Sequence, residues 1–435
     1  MYSQKILNLL KAMNIALGDK ILIRKNSKEI VGILMPKPLL SDPNCLTIKL
    51  DDGYNIGIAS WEEIRKVEEK PKHKEYLHKP VSKIFNKTLP TISILGTGGT
   101  IASKIDYRTG GVYASFSPED IINQIPELEK YANIKSREIM NIMSEDITPE
   151  EWIKIAKEVA NEINSGSDGV IITHGTDTMH FTATALGFML MNLPVPVVLV
   201  GAQRSSDRGS SDASMNVICA ANFIAKSDVA EVCIVMHGNS SDEYCIAIRG
   251  CKCRKMHTSS RDAFKPINDK PIAKIYYDGR IEIINKNYKK KGKGKVKVDS
   301  KLEKRVALIK VYPGLDPDIF DFYIDRGCKG FVIEATGLGH VPTLGKYSLL
   351  DKIEKAEKLK IPVVITSQCL YGRVHPTVYH NLRELSKRGA IFAEDILPEV
   401  AYIKLMHVLG HTNDINKIRK MMLTNMIGEI SDRTL

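Results

Sequence analysis

The sequence of 435 residues has no apolar run long enough to cross a membrane. Its most apolar stretch, 187–202, is broken by Asn192, Pro194 and Pro196 and falls short of the roughly 20 uninterrupted apolar residues that span a bilayer. Cysteine spacing of the zinc-finger kind is also missing. The eight Cys are Cys45, Cys219, Cys233, Cys245, Cys251, Cys253, Cys328 and Cys369. Cys251 and Cys253 stand one residue apart with no second Cys or Cys/His pair at finger spacing, so no metal site is expected. The first 20 residues carry Lys5 and Lys11 inside their apolar stretch and read as a short amphipathic helix instead of a secretory leader. Free thiols in a reducing, cytoplasmic compartment follow.

Several catalytic signatures are absent too. No G-x-S-x-G occurs, which excludes the strand-to-helix elbow of serine hydrolases. No Gly-Lys-Ser or Gly-Lys-Thr occurs, which excludes a P-loop. Gly96 and Gly98 begin a G-x-G-x-x-G pattern, but Ile101 stands where the third glycine belongs. The segment after it, SKIDYRTGGVYASF with Gly110 and Gly111, is too polar for the amphipathic helix that would hold a pyrophosphate. It reads as a mobile lid.

What is present is a globular composition, 43% hydrophobic and 26% charged, in a chain long enough for about three folded units. The 62 Lys and Arg exceed the 51 Asp and Glu by eleven, which raises the question of a polyanionic partner. Residues 286–305, KNYKKKGKGKVKVDSKLEKR, hold ten basic and two acidic side chains and so carry eight of those eleven charges. A Lys block of this kind reads as a solvated linker or hairpin tip before it reads as a nucleic-acid contact.

Residues 1–67 hold four or five short alternating bursts between turn residues, the pattern of a small β-barrel that serves as a docking module. Few aromatics are available there as a base-stacking platform. Residues 68–90 read as a linker. From residue 91 to 285, β-branched bursts (TISIL, GVIIT, VPVVLV, EVCIVM) alternate with helical patterns at 149–163, 179–191 and 214–224. That predicts a doubly wound α/β unit on a parallel sheet, closed by a hairpin with a two-residue Asp278-Gly279 turn. The basic linker is 286–305, and 306–435 repeats the alternation as a smaller α/β unit, with a helix over 316–325.

In open α/β sheets, ligands sit beyond the carboxyl ends of the strands. Two of the loops there are rich in Thr. GTGGTIAS, 96–103, places Thr97 at a strand exit, with Gly98 and Gly99 allowing backbone N–H groups to approach a ligand. HGTDTMH, 174–180, places Thr176 and Asp177 before a helix, where an N-cap carboxylate is expected. A Thr nucleophile needs a base. Lys255 is the candidate, and the like charges of Arg249, Lys252 and Arg254 would favour its neutral amine.

TGGTIAS at 97–103, HGTDTM at 174–179 and KMHTSSRDAF at 255–264 together resemble the asparaginase family over about residues 91–435. The resemblance implies that Thr97 forms an acyl-enzyme with a side-chain amide and that Thr176, Asp177 and Lys255 form its proton relay. It implies that Ser144 and Glu145, in MSEDITPEEW, hold the substrate's backbone groups, with Gly98 and Gly175 lining the site and Tyr107 on the lid. The added N-terminal module, the lid at 107–112, SQCLYGRVHPTVY and AEDILPEVAYIKLMHVLGHT look like the D subunits of archaeal-type glutamyl-tRNA(Gln) amidotransferases. This further resemblance implies a glutaminase with no cofactor of its own. It would feed ammonia to a partner, the E subunit, which uses ATP and Mg²⁺ to amidate Glu-tRNA(Gln), in a dimer of heterodimers. A free-standing L-asparaginase with an unrelated docking domain and a non-catalytic RNA-binding adaptor remain the alternatives at this point.

Overall fold

The computed structural model describes residues 2–26, 28–36, 42–50, 55–67, 86–98, 103–105, 112–114, 125–204 and 211–433. The N-terminal helix α1 (Gln4–Ala12) is capped by Ser3, whose hydroxyl accepts the Ile6 N–H, and it buries Ile6 and Leu10, four apart on one face. Next come β1 (Lys20–Lys25), β2 (Lys28–Leu34), β3 (Leu46–Lys49), β4 (Asn55–Ile58) and β5 (Glu63–Lys66), all antiparallel in the order β4-β3-β2-β1-β5. Ile21 and Ile23, like Leu46 and Ile48, alternate inward and meet Ile6, Leu10, Leu34, Ile58 and Ile64 in a core of their own. Among the described residues the two end strands β4 and β5 do not pair with each other, and the five strands enclose a core of their own.

The strands of the central unit are β6 (Thr91–Gly96), the hairpin β7 (Ser103–Ile105) and β8 (Val112–Ala114), β9 (Asn133–Glu138), β10 (Gly169–Thr173), β11 (Leu190–Met191), β12 (Val197–Val200), β13 (Val232–His237), β14 (Tyr244–Arg249), β15 (Cys253–Lys255), β16 (Phe264–Pro266), β17 (Ala273–Tyr276) and β18 (Ile281–Ile283). Its helices are α2 (Pro149–Asn164), α3 (Met179–Met189) and α4 (Ala213–Lys226). Helix α2 shows why this sequence is helical. Thr148 and Glu151 form a capping box, Pro149 occupies the first turn, and Trp152, Ile155, Ala156, Val159, Ala160 and Ile163 make one buried stripe.

The eight-stranded sheet runs β18-β17-β14-β13-β12-β10-β6-β9. It is mixed, not wholly parallel. Strands β13, β12, β10, β6 and β9 are parallel, whereas β14, β17 and β18 add antiparallel. The reason is connection length: β13 and β14 are joined by six residues, too few for a crossover helix. The β17–β18 turn holds three residues instead of two, because Tyr276 and Arg280 still hydrogen-bond and Gly279 takes the left-handed conformation, φ 85°. The parallel strands are wound outward in both directions from β6 and β10, so the topological switch lies between these neighbours.

The smaller sheet, β20 (Val306–Lys310), β21 (Gly330–Ala335), β22 (Val363–Ser367) and β23 (Ile391–Phe392), is parallel and in sequential order. Helices α5 (Asp318–Asp325), α6 (Leu350–Lys358) and α7 (His380–Lys387) precede α8 (Pro398–Leu409) and α9 (Ile415–Met422). Helix α8 is apolar on nearly every side because it lies between this sheet and α3: Val400, Ile403, Leu405 and Met406 share one core with Val332, Val364, Ala183 and Leu186.

The basic tract is not a free loop. Lys291 reaches the Ile224 carbonyl, the Lys289 carbonyl accepts from Ala230, Val296 is buried, and β19 (Lys297–Val298) pairs with β11. The tract straps itself across the base of the central sheet while most of its lysines stay in water.

Candidate active site

Register places the site. Gly96 pairs with Thr173 across β6 and β10, so Thr97 and His174 leave the sheet on adjacent strands, about 4.8 Å apart, at the switch point. Thr97 is fully buried, and its hydroxyl donates to the Thr173 carbonyl at 2.9 Å. Gly98 turns the chain with φ 104°, and a Cβ there would lie 2.7 Å from the Ile142 carbonyl oxygen and 2.8 Å from its nitrogen. Backbone cannot yield to such a contact, so only glycine fits.

On the neighbouring loop, Lys255 Nζ donates to Thr176 Oγ1 at 2.9 Å and to Asp177 Oδ1 at 2.6 Å. The three side chains form one cluster, brought together from β15 and the β10 exit. Asp177 does not cap α3, as its position before the helix suggested. The N-cap residue is Thr178, which makes no side-chain cap bond; its hydroxyl instead donates to the Ser144 carbonyl at 2.5 Å. Both potential capping groups are thus committed to the site. Ser144 is buried and packs so closely on Gly175 that a Cβ there would lie 2.7 Å from the Ser144 Cβ. Glu145 follows it, exposed, in the 3-10 turn Ser144–Asp146. Thr97 makes no hydrogen bond to the Lys255 cluster among the described residues, and Tyr107 lies outside them.

The suggested crowding of Lys255 by like charge is not supported. Arg249 pairs with Glu231 at 2.7 Å and Asp269 at 2.9 Å, Lys252 with Asp395 at 2.6 Å, and Arg254 lies 3.6 Å from Glu399. Each cation has its own carboxylate.

Two features escaped the motif reading. Trp152 Nε1 can only donate, so Thr182 Oγ1 accepts from it at 3.1 Å and gives its own proton to His174 Nε2 at 2.8 Å. His174 therefore carries hydrogen on Nδ1, which donates to the Gly175 carbonyl at 2.6 Å. Burial lowers its pKa to about 4, so this ring is a neutral brace for the Gly175–Thr176 backbone. Beside Lys255, His180 has its pKa lowered to about 3, by burial first and then by the charges of Arg254 and Lys255. The facing Glu399 is raised by burial. His174 and His180 stand in the HGTDTMH segment, but Glu399 is over 200 residues away, and no spacing pointed to it.

Known proteins match the chain along nearly its whole length. Residues 91–289 match the model "Asparaginase, N-terminal" and 305–422 the "Glutaminase/Asparaginase C-terminal domain", while 15–68 match the "GatD N-terminal domain". The D subunit of the glutamyl-tRNA(Gln) amidotransferase of Pyrococcus furiosus is 54% identical, the match covering 99% of this chain and 98% of that protein. The chain belongs to the D-subunit family of glutamyl-tRNA(Gln) amidotransferases. Its relative in Methanothermobacter thermautotrophicus is 44% identical over 100% of this chain and 98% of that one. The L-asparaginase of Thermococcus kodakarensis superposes with a TM-score of 0.70 at 35% identity, covering 79% of this chain and 100% of the asparaginase. D subunits thus match the chain almost end to end, whereas an asparaginase leaves about a fifth of it unmatched. This separates the family from the free-standing asparaginase and adaptor alternatives. Among the described residues no helix is long and apolar enough to cross a membrane.

Proposed function

We propose that the chain is the glutaminase of a cytoplasmic tRNA-dependent amidotransferase. Thr97 Oγ1 attacks the side-chain carbonyl carbon of glutamine. Lys255, acting through Thr176, takes the hydroxyl proton, and Asp177 stabilises the resulting ammonium. The Gly98 backbone N–H serves the developing oxyanion. Ammonia leaves, water opens the acyl-threonine ester, and glutamate departs. Ser144 and Glu145 hold the amino-acid end of the substrate, with Gly98 and Gly175 shaping the floor. The ammonia passes to the E subunit, which uses ATP with Mg²⁺ to convert Glu-tRNA(Gln) to Gln-tRNA(Gln) in a dimer of heterodimers.

The observation that carries this reading is the contact of Lys255 Nζ with both Thr176 Oγ1 and Asp177 Oδ1, one strand away from a buried Thr97 at the switch point. The test is Thr97→Ala assayed in complex with the E subunit. Glutamine-dependent amidation should disappear while amidation from added ammonium persists. Loss of both activities together would refute the division of labour.

A further inference from the structure

The strapped tract and the last turn of α8 meet at a place that no motif marks. His407 lies on α8 and His411 four residues later, so the two rings share one face. Asp299, just beyond β19, comes up beside them. One ligand atom from each of the three residues lies within 4.8 Å of the other two. His407 is buried, stacks on Phe188 with ring centroids 5.6 Å apart, and keeps a buried Nδ1 with no hydrogen-bond partner.

Donor and acceptor accounting at His411 points to a cation. Its Nδ1 faces the His407 carbonyl at 2.7 Å, and a carbonyl only accepts, so Nδ1 is the protonated nitrogen. The lone pair of Nε2 then faces Asp299 Oδ2 at 2.7 Å. Two acceptors held face to face need a positive charge between them, either a second proton on the His411 ring or an ion shared with His407, whose buried Nδ1 has no partner of its own. A ligating histidine whose other nitrogen is fixed by a backbone carbonyl is also the usual orienting arrangement of a metal site. Asp299 is fixed as well: its N–H donates to the Met189 carbonyl and its Oδ1 accepts from Lys301 N at 3.3 Å.

We propose that Asp299, His407 and His411 form a three-ligand site for a borderline divalent transition ion of the zinc class. Two imidazoles and one carboxylate suit such an ion, with bonds of about 2.0–2.2 Å and an open fourth position. Ligand atoms around a tetrahedral ion of that bond length stand about 3.3 Å apart. The His411–Asp299 edge, 2.7 Å long, opens slightly to accept it, and no edge of the cluster exceeds 4.8 Å. Asp299 and His407 also line the cavity of about 830 Å³ between the base of the central sheet and the chain's last residues, which leaves room for the ion's water. The lysines of the tract oppose a cation only weakly. They are largely exposed, and charges in water are screened beyond about 8 Å, whereas the nearby buried Lys404 is already paired with Glu429 at 2.6 Å. The bound ion would staple the tract to α8, and with it the smaller unit to the central one.

The test is titration of the EDTA-stripped full chain with Co²⁺, followed by visible absorption, with thermal melting in Zn²⁺ as a second readout. One equivalent should produce the intense absorption of low-coordinate Co²⁺, and Zn²⁺ should abolish it by displacement and raise the melting temperature. His411→Gln, at the surface and outside the catalytic cluster, should keep glutaminase activity but weaken Co²⁺ binding at least about 10- to 100-fold. Asp299→Asn should do the same. Absence of stoichiometric binding to the wild-type chain would leave a plain His–Asp pair and overturn the proposal, as would a Co²⁺ spectrum unchanged in both variants.

Discussion

The two ends of the eight-stranded sheet hold their charges differently. At the carboxyl end, Asp177 is 66% exposed while its partner Lys255 is 11% exposed, so the cluster opens to arriving substrate. At the amino end and along α8, beneath the exposed lysines of the tract, other charges are shut away. Lys404 and Glu429 are fully buried, and Lys404 also donates to the Met422 and Thr424 carbonyls. Lys252 and Asp395 tie the two α/β units together at 1% exposure each. One end leaves polar groups available for chemistry; the other pairs its buried cations to lock the units in register.

The largest expected effect breaks the open end. Lys255→Met keeps most of the apolar stem and removes the amine, so kcat for glutamine hydrolysis should fall about 100- to 10,000-fold, the usual contribution of a positioned acid–base group. The melting temperature should stay close to that of the parent. A fall below tenfold would remove Lys255 from the chemistry.

The next breaks the closed end. Glu429→Ala strands the Lys404 ammonium in the core and should cost about 3–5 kcal/mol of unfolding free energy, read from the denaturation midpoint, while kcat of the folded fraction holds. If kcat fell in step with stability, the two ends would be coupled and the contrast would fail.

This contrast also decides what was legible in the sequence. The open end sits on loops whose residues are neighbours in sequence, Thr97 with Gly98 and Thr176 with Asp177, so local chemistry and strand-exit position revealed them. The closed end is built from residues such as Lys252 and Asp395, over 140 apart, and no periodicity records which distant carboxylate a buried lysine meets. The same limit hid the pairs that neutralise Arg249 and Arg254 and so made Lys255 look crowded. Strand alternation was legible because burial on both faces leaves continuous runs such as GVIIT. The Asp278-Gly279 turn revealed the antiparallel β17–β18 hairpin, but the reversal at β14 was not legible, since alternation alone does not distinguish a short return from a crossover.

A pH series sharpens the comparison from the side of the buried rings. His174 and His180 have folded pKa values lowered to about 4 and about 3 by burial, below the unfolded value of about 6.5. The unfolded chain therefore binds protons first as pH falls. Their contribution is complete above about pH 6.5 and is lost as pH drops toward the folded values. Between pH 7 and 5 the unfolding free energy should decrease by on the order of 2 kcal/mol per ring. The carboxylates of exposed Glu150 and half-buried Glu303 and Glu384, held down to about 2 by their cationic partners, act only at lower pH. His174→Gln should flatten the pH 7 to 5 decline, and an unchanged decline would show that this ring is not buried neutral.

The smallest effect concerns how the open end is held. Its loops rely on local devices, and the Ser144–Asp146 turn is followed at once by the capping box of Thr148 and Glu151. Thr148→Ala removes the acceptor for the Glu150 N–H and should cost about 1 kcal/mol of stability. Because the cap anchors the turn that carries Ser144 and Glu145, and not the Lys255 cluster, the kinetic effect should fall on KM for glutamine and spare kcat. A change in kcat with KM constant would instead place the turn in the proton-transfer machinery, and the open end would then extend from the strand exits into the start of α2.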